Sequence, residues 1–272
     1  MKDASERGRT QLPEIVTLWV EGGLSYIERL CLMSMLAQGH EVTLYTYHEV
    51  KNVPKKVRIA DASHILPESR MLRHKNTGSY ALGSDIFRYE SQRLGLGTWL
   101  DLDVYCLKPL SFASEYLYGW EDEEKINGAV LRIPSNSELL EDLLGLCYSK
   151  PVIAPWWLRR KKLKQYARYL IGTDHHIEDI RWGDLGPTAL TYYSIKHDVA
   201  RLAKDRTVFY PVHYSQADML FNPHVDVEAI IGKNTITIHL WNERVGSHKQ
   251  SPPPEGSFID AACKKHGIDI GI

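Results

Sequence analysis

Two aspartates, two residues apart at the end of an apolar stretch, constrain this chain more than any other feature. They are Asp101 and Asp103 in the segment TWLDLDVYCL, where Trp99 and Leu100 predict a buried strand. Side chains two apart on an extended chain point the same way, so both carboxylates face one site. Burying two acids beside apolar residues is costly unless a cation neutralises them. A divalent metal that carries a diphosphate would do so, since Mg²⁺ and Mn²⁺ prefer oxygen ligands.

A helix predicted over residues 80–94 precedes this strand and carries a second charged pair. Asp85 and Arg88 are three residues apart, so they share one face of that helix. Arg88 can therefore pair with Asp101 or Asp103 and keep the acids ionised when no metal is bound.

The beginning of the chain predicts a doubly wound α/β fold. Glu14–Val20 is a β-branched and aromatic run that predicts a first strand, Leu24–Gln38 predicts a helix, and Glu41–Tyr47 predicts a second strand. This strand–helix–strand start is typical of nucleotide-binding sheets. The segment after the first strand contains no GxGxxG motif, so a glycine-rich phosphate loop is not expected.

The remainder of the chain completes one large α/β domain, which its 272 residues allow. Residues 1–12 are expected to be disordered, 13–246 to form the main domain with a helical insertion at about 150–180, and 247–272 to form a loosely tethered tail. The further predicted elements are strands Val57–Ala60, Leu117–Trp120, Gly128–Ile133, Val208–Pro211 and Ile236–Leu240, and helices Asn136–Tyr148 and Phe258–His266.

Residues 84–110 carry the string SDxxRY followed by WLDLDVxCLKPL. This string resembles the glycosyltransferases that have a sugar-binding region containing a DXD motif, a group that includes initiating mannosyltransferases and the large clostridial glucosylating toxins. The resemblance implies a GT-A fold, a Rossmann-like mixed sheet flanked by helices, in which a bound metal holds the diphosphate of a nucleotide sugar. Mn²⁺ or Mg²⁺ is the expected cofactor.

Roles for individual residues follow from the charges and from this resemblance. Asp103 is the expected main metal ligand, and Asp101 shares the metal or binds hydroxyls of the ribose and sugar. Asp85 and Arg88 match positions that hold the donor sugar in the family. Asp101, Asp103 and Arg88 form the predicted catalytic set, and the donor set also includes Ser84, Trp99 and Leu102.

The end of the first predicted strand is the expected place of the base and ribose, because GT-A folds bind them there. Leu18, Trp19 and Val20 occupy that position. Trp19 either stacks on the base or packs in the core, and the sequence leaves both open.

A late segment, TIHLWN at residues 237–242, resembles the HxWN of the α-1,4-galactosyltransferases. A late histidine often completes the metal site of GT-A enzymes, so His239 is the expected third ligand, with a core histidine as the alternative. Trp241 is expected to cover the diphosphate.

The segment RWGDLGPTALT, residues 181–191, resembles a loop that closes over donor and acceptor in the same families. Asp184, Gly186, Pro187 and Thr188 are therefore expected on the acceptor side. Pro187 also suits the first position of a helix, and Asp184 is either a helix-capping acid or a carboxylate that faces the acceptor.

Residues 155–170 contain six Lys or Arg, four Trp or Tyr and no acid. That composition suits a helix lying on an anionic membrane or an acidic acceptor. The alternative is a solvated helical insertion whose tryptophans pack back onto the domain.

Composition narrows the function classes. The formal net charge of −1 argues against a general nucleic-acid binder. The four cysteines form no CxxC pair, which predicts free thiols. Neither a signal-like segment nor a membrane-length apolar run is evident, so a cytoplasmic protein is expected, with peripheral contact at the inner face of the membrane through residues 155–170 as an option.

These features together predict a metal-dependent, retaining glycosyltransferase. It would move a hexose or N-acetylhexosamine from a nucleotide sugar to a glycan or lipid-linked acceptor. A UDP-sugar is the expected donor, and the HxWN resemblance favours galactose or N-acetylhexosamine as the sugar. The mannosyltransferase resemblance keeps GDP-mannose open, and retention rests on the resemblance only. Two alternatives remain: a haloacid-dehalogenase-like phosphatase that uses Asp101 and Asp103, and a non-catalytic carbohydrate-binding GT-A scaffold.

Overall fold

The computed structural model describes residues 12–74, 78–173, 177, 180–181 and 183–270. Residues 1–11, where a disordered terminus was predicted, lie outside this range. The centre of the fold is a six-stranded mixed sheet in the order β3-β2-β1-β4-β7-β6. The first four strands in that order run parallel, and β7 is antiparallel to both of its neighbours. These strands are β1 Ile15–Trp19, β2 Val42–Thr46, β3 Arg58–Asp61, β4 Thr98–Leu100, β6 Leu117–Trp120 and β7 Ile126–Arg132.

Two further strands form a separate antiparallel ladder, β5 Val104–Cys106 with β8 Thr237–His239. Helices cover both faces of the main sheet. The α-helices of the described residues are α1 Tyr26–Ala37, α2 Ala81–Arg93, α3 Glu138–Tyr148, α4 Arg159–Leu170, α5 Ala189–Lys196, α6 Arg206–Phe209, α7 Asn242–Val245 and α8 Phe258–His266.

The sheet is buried on both faces, as parallel sheets are when helices cross over them. Consecutive residues of β1 show this, because Ile15 packs in the core on one side and Val16 in the core on the other. The first core contains α1, α8 and the β5–β8 ladder, and the second contains α2, α3 and α5. The predicted fold class, a GT-A type Rossmann-like mixed sheet flanked by helices, is confirmed.

The position of the site follows from strand order. The parallel strands β1 and β4 are neighbours, while β2 and β3 extend the sheet on the other side of β1. The order of the chain therefore reverses between β1 and β4, and in open α/β sheets a crevice forms at this point beside the carboxyl ends of the strands. The residues that follow β1 and β4 at that edge are Val20 and Asp101.

One predicted strand is wrong. Residues 208–211 do not form a strand, because α6 occupies Arg206–Phe209. The reason is local: the Asp205 carboxylate accepts a hydrogen bond from the backbone N–H of Thr207 at 2.9 Å and so begins a helical turn. The segment still lies beside β8, since the Ile236 N–H donates to the Val208 carbonyl at 2.8 Å.

The carboxyl-terminal segment is better anchored than its proline-rich sequence suggests. Ile259 and Cys263 of α8 are fully buried in the same core as α1. All four cysteines are buried and free, as predicted. Among the helices of the described residues, none combines the length and the hydrophobicity that a membrane span requires.

Candidate active site

The β5–β8 ladder brings the predicted acids and the predicted histidine together. Asp101–Asp103 connects β4 to β5, and in the ladder Val104 lies opposite His239. The Leu240 N–H donates to the Asp103 carbonyl at 2.8 Å, which extends the pairing by one bond. Residues far apart in the chain therefore share one point at the edge of the sheet.

Asp103 and His239 form a buried pair. Nε2 of His239 lies 3.2 Å from Oδ2 of Asp103, and the backbone N–H of Asn242 donates to the same oxygen at 2.7 Å. Burial alone would raise the pKa of Asp103, but the charge and hydrogen bond of His239, together with the Asn242 N–H, lower it. Burial likewise opposes protonation of His239, yet Asp103 raises the pKa of the imidazole above its usual value. The carboxylate is therefore held ionised.

Asp101 is held by two donors from the α2 side of the site. Its Oδ1 accepts from Nε1 of Trp99 at 2.7 Å and from Nη2 of Arg88 at 2.9 Å. Arg88 also lies across the Trp99 ring, with its guanidinium carbon 5.4 Å from the ring centroid. The predicted pairing of Arg88 thus joins it to Asp101.

Asp85 lies on the other side of Arg88, with Oδ1 3.6 Å from Nε. Burial raises the pKa of the Asp85 carboxyl to about 6, although the charge of Arg88 opposes the shift. The Asp85 carboxylate is packed against the backbone of Gly186, where a Cβ would come within 2.8 Å of both oxygens. Only glycine fits at residue 186 without moving Asp85, so α2 and the 184–188 segment are closely matched.

The three predicted metal ligands fit a divalent cation. Asp101, Asp103 and His239 each offer one ligand atom, and these atoms lie within 4.8 Å of one another. Among the described residues, Nδ1 of His239 is buried and has no hydrogen-bond partner. Two carboxylates and an imidazole suit Mn²⁺ and related divalent ions. The group could therefore bind a metal ion, whose identity this donor set does not select.

The predicted donor residues surround a cavity of about 400 Å³ at the crevice between β1 and β4. Asp85 is absent from its lining, because it lies behind Arg88 against Gly186. We call this cavity the donor cavity after the prediction. The predicted residues that line it are Leu18, Trp19, Val20, Ser84, Arg88, Trp99, Asp101, Leu102 and Asp103.

A second cavity, of about 600 Å³, adjoins the first and shares Asp103 and Asn242 with it. We call this second cavity the acceptor cavity, because the predicted acceptor-side residues Pro187 and Thr188 line it. Trp241 lines it too, rather than the donor cavity where it was expected. The indole is fixed there because Nε1 donates to the Val212 carbonyl at 2.9 Å and the ring packs 3.9 Å from that of His239.

The capping role considered for Asp184 is not found. Gly183, not Asp184, occupies the N-cap position of the wide helical turn Asp184–Thr188, and α5 begins after Thr188 without a side-chain cap. Burial raises the pKa of this carboxylate, while the charge of Lys161 and the nearby Trp157 side chain oppose the shift. Asp184 thus connects the acceptor-side turn to the segment that leads into α4.

Sequence reasoning missed several residues that line the acceptor cavity, and Glu121 is the most informative. Its Oε2 accepts from Nδ2 of buried Asn127 at 2.8 Å, and Oδ1 of Asn127 accepts from the Ala129 N–H at 2.7 Å. The carboxylate is therefore held in a defined orientation. Its only signal in the sequence is its position after strand Leu117–Trp120, in an acidic run that predicts an ordinary solvated loop.

The phosphatase alternative does not agree with this geometry. That chemistry needs a free nucleophilic carboxylate at the end of the first strand, whereas Asp101 follows β4 and its Oδ1 is engaged by Trp99 and Arg88. An oxygen that accepts two hydrogen bonds, one of them from a cation, is a weak nucleophile.

Residues 177–268 match the family model described as the alpha 1,4-glycosyltransferase conserved region. The matched part contains the acceptor-side turn and His239, and it begins after the Asp101–Asp103 segment. A search among curated proteins found no significant match. The family match, on a fold of the GT-A type, identifies the chain as an enzyme and supports a glycosyltransferase of the alpha-1,4-galactosyltransferase type.

Proposed function

We propose that this chain is a metal-dependent glycosyltransferase that moves a hexose or N-acetylhexosamine from a UDP-sugar to a glycan or lipid-linked acceptor. One observation carries the proposal: Asp103, grouped with Asp101 and His239, stands at the boundary between two adjoining cavities. A transferase needs this arrangement, because the bond that breaks lies between the donor and acceptor sites.

The donor cavity is suited to a nucleotide sugar. Trp19 offers an aromatic face for the base at the end of β1, and Ser84 and Arg88 offer hydrogen-bond donors for sugar or phosphate oxygens. A divalent cation held by Asp101, Asp103 and His239 would stabilise the negative charge that develops on the leaving diphosphate. Arg88 pairs with Asp101 at 2.9 Å and orients it for that purpose.

On the acceptor side, Glu121 is suited to receive a hydrogen bond from the acceptor hydroxyl. It lines the acceptor cavity together with Asp103, and Asn127 orients its carboxylate. The attacking hydroxyl needs a nearby proton acceptor as its oxygen forms the new bond. We expect the anomeric configuration to be retained, as the sequence resemblance implies, and NMR of the product anomer tests this point.

The testing experiment measures nucleotide release from a panel of UDP- and GDP-sugars by the wild-type protein. Each donor is assayed with Mn²⁺, with Mg²⁺ and with excess EDTA. We expect one donor to release its nucleotide in a metal-dependent reaction, which would identify both base and sugar. Release from GDP-mannose alone would replace the UDP-sugar in this proposal while keeping the reaction class.

Two results would contradict the proposal. Nucleotide release that is unaffected by EDTA would remove the metal from the mechanism. No release from any donor, combined with glycan binding in the absence of nucleotide and metal, would favour the non-catalytic scaffold.

A further inference from the structure

The apolar side chains of α4 face solvent, which is unusual for a helix on the surface of a globular protein. Leu163 and Leu170 are 60% and 66% exposed, and Tyr166 is 51% exposed. These three residues are three to seven positions apart, so they lie on one face of the helix. The only buried residue of α4 is the polar Gln165, on the opposite face.

This arrangement is the reverse of the usual one. A surface helix normally packs its apolar stripe on the core and exposes its charges. In α3, for example, Leu139, Leu140 and Leu143 are all buried. Exposing two leucines and a tyrosine on one stripe costs free energy in water, so the face is suited to an apolar contact.

Basic residues flank the exposed stripe. Arg160 and Lys164 are exposed and lie along one edge of the stripe, and exposed Arg159 lies in line with the stripe at the start of the helix, at the helical repeat of about 100° per residue. The helix has no acidic residue to neutralise them. Leu158 and Ile171, which are 66% and 73% exposed, extend the apolar surface at the two ends of α4. We call Leu158, Arg159, Arg160, Leu163, Lys164, Tyr166, Leu170 and Ile171 the α4 face.

The tryptophans of this segment do not belong to the α4 face. Trp156 packs on Tyr192 with ring centroids 5.4 Å apart, and Trp157 lies under Lys161, whose Nζ is 3.6 Å from the ring centroid. They therefore pack back onto the domain, which is the second of the two alternatives that the sequence left open for this segment. The exposed leucines and tyrosines, rather than these tryptophans, form the apolar surface.

The α4 face is connected to the acceptor cavity through one short path. Burial raises the pKa of Asp184, while the charge of Lys161 and the Trp157 side chain oppose that shift, so both side chains lie close to this carboxylate. Asp184 begins the turn that ends at Thr188, and Pro187 and Thr188 line the acceptor cavity. At about 100° per residue Lys161 lies opposite the exposed stripe, so the α4 face and the acceptor-side turn lie on opposite sides of α4, about one helix diameter (about 10–12 Å) apart.

We propose that the α4 face docks on an anionic phospholipid bilayer and that the acceptor is a lipid-linked glycan presented at that surface. The exposed stripe would enter the boundary between headgroups and acyl chains, and the flanking arginines and lysine would contact lipid phosphates. Charge complementarity selects an anionic bilayer as the occupant. The statement about the acceptor rests on the proposed function, whereas the docking itself does not.

Vesicle co-sedimentation of the full chain tests the docking. The vesicles are phosphatidylglycerol mixed with phosphatidylcholine, or phosphatidylcholine alone. We expect wild type to bind the anionic vesicles and Leu163→Glu to bind them at least about tenfold more weakly. Ile59→Glu is the matched control, because Ile59 is 54% exposed on edge strand β3 and lies outside the α4 face.

A second pair of variants tests the charges. We expect Arg160→Glu/Lys164→Glu to reduce anionic binding by about tenfold or more, and Lys55→Glu/Lys56→Glu to leave it within about twofold. All four of these residues are exposed. Thermal unfolding shows whether each variant is folded.

Several results would overturn the proposal. They are the absence of wild-type binding to anionic vesicles, equal binding to vesicles of phosphatidylcholine alone, and an equal loss in the control variants. Self-association that Leu163→Glu abolishes, without vesicle binding, would assign the α4 face to a second copy of the chain. Donor hydrolysis in solution is measured on the same proteins: if vesicle binding persists without hydrolysis of any nucleotide sugar, the proposed function fails and the docking surface stands.

Discussion

The walls of the donor and acceptor cavities are held together in different ways. On the donor side, Asp85, Arg88 and Asp101 form a chain of ion pairs, and the Arg88 side chain is only 9% exposed. On the acceptor side, Lys125, Arg181 and Glu243 are exposed charges at the rim, and Glu121 with Asn127 is the ordered polar pair.

The two walls therefore differ in how far their side chains are fixed before a ligand binds. A buried charge that is paired, as Arg88 is with Asp101 at 2.9 Å, is held in one geometry before any ligand arrives, since leaving it unpaired costs several kcal/mol. Exposed charges at a rim are screened by water and can rearrange. We therefore expect the donor half to be preformed and the acceptor half to adapt, and variants on the two sides should affect different measurements.

The largest effect should come from Asp103, the acid that both cavities share. Asp103→Asn keeps the shape of the side chain but removes its charge, so metal-dependent nucleotide release should fall by about a thousandfold or more, which corresponds to about 4 kcal/mol. Initial rates of release and Mn²⁺ titration calorimetry measure the two consequences. Asp198→Asn is the control, because Asp198 is an exposed acid that pairs with Arg201 outside both cavities. If Asp103→Asn lowered the rate of nucleotide release by less than about tenfold, the reaction would not depend on this carboxylate.

The second prediction concerns the cost of burying charge in the donor wall. The pKa of Asp85 is about 6 in the folded protein, above its value of about 3.9 in an unfolded chain. The folded state therefore binds this proton more tightly, and the contribution of Asp85 to the stability of wild type falls as pH rises from 4 to 7. Asp85→Asn removes this dependence, so its free energy of unfolding relative to wild type should rise by up to about 3 kcal/mol over that range.

Urea unfolding at several pH values between 4 and 7 measures this difference. Asp142→Asn is the control with the opposite sign. Although burial alone would raise the pKa of Asp142, its hydrogen bonds to Lys196 and His197 lower it. Its contribution is therefore almost fully present above about pH 5 and is lost progressively as pH falls below that. If the relative stability of Asp85→Asn did not rise with pH, ionisation of Asp85 would cost the folded protein no free energy, and the prediction would be wrong.

The third prediction separates the two cavities. Glu121→Gln should reduce transfer to a panel of alkyl glycosides by about a hundredfold, because the amide cannot take the proton of the attacking hydroxyl. Nucleotide release to water should change little, since the donor wall is untouched. The ratio of transfer to hydrolysis is the measured quantity. Glu123→Gln, an exposed neighbour in the same loop, is the matched control. Equal losses of transfer and hydrolysis in Glu121→Gln would contradict a role confined to the acceptor side.

The smallest effect is expected at Trp19, which is half-buried at the donor cavity. If its ring stacks on the base, Trp19→Leu should raise the KM for the donor by about tenfold and leave kcat unchanged, as loss of uniform binding does. Steady-state kinetics with varied donor concentration measures both constants. Trp19→Phe keeps an aromatic face and should restore most of the affinity. A reduced kcat with an unchanged KM would instead show that Trp19 acts in the transition state rather than in binding of the base.

Local sequence patterns were sufficient for much of the fold and part of the site. Apolar periodicity located β1, α1, β2 and α2, because burial on a regular element leaves a repeat that a short window contains. The spacing of Asp85 and Arg88 predicted a shared helix face, and the two residues lie together. The resemblance, rather than any local pattern, suggested His239.

Residues 208–211 and Trp241 show where local reasoning stops. The apolar run VFYP has strand composition, yet the Asp205 cap makes its first part helical. Trp241 was expected at the donor cavity because of its neighbours in the chain. Its backbone has a φ of +61°, and its indole is bonded to Val212, so it points to the other cavity.

Patterns among neighbouring residues were sufficient to predict a mixed α/β fold, two clustered acids and a basic, aromatic helix, because each of these properties is local in the chain. Three features are visible only in the tertiary structure. β5 pairs with β8 and brings His239 to Asp103, Glu121 lines the acceptor cavity, and the leucines of α4 face solvent. Each of these depends on contacts between segments far apart in the chain. Periodicity reveals that a helix has an apolar stripe, but what the stripe faces is set by the position of the helix on the rest of the molecule.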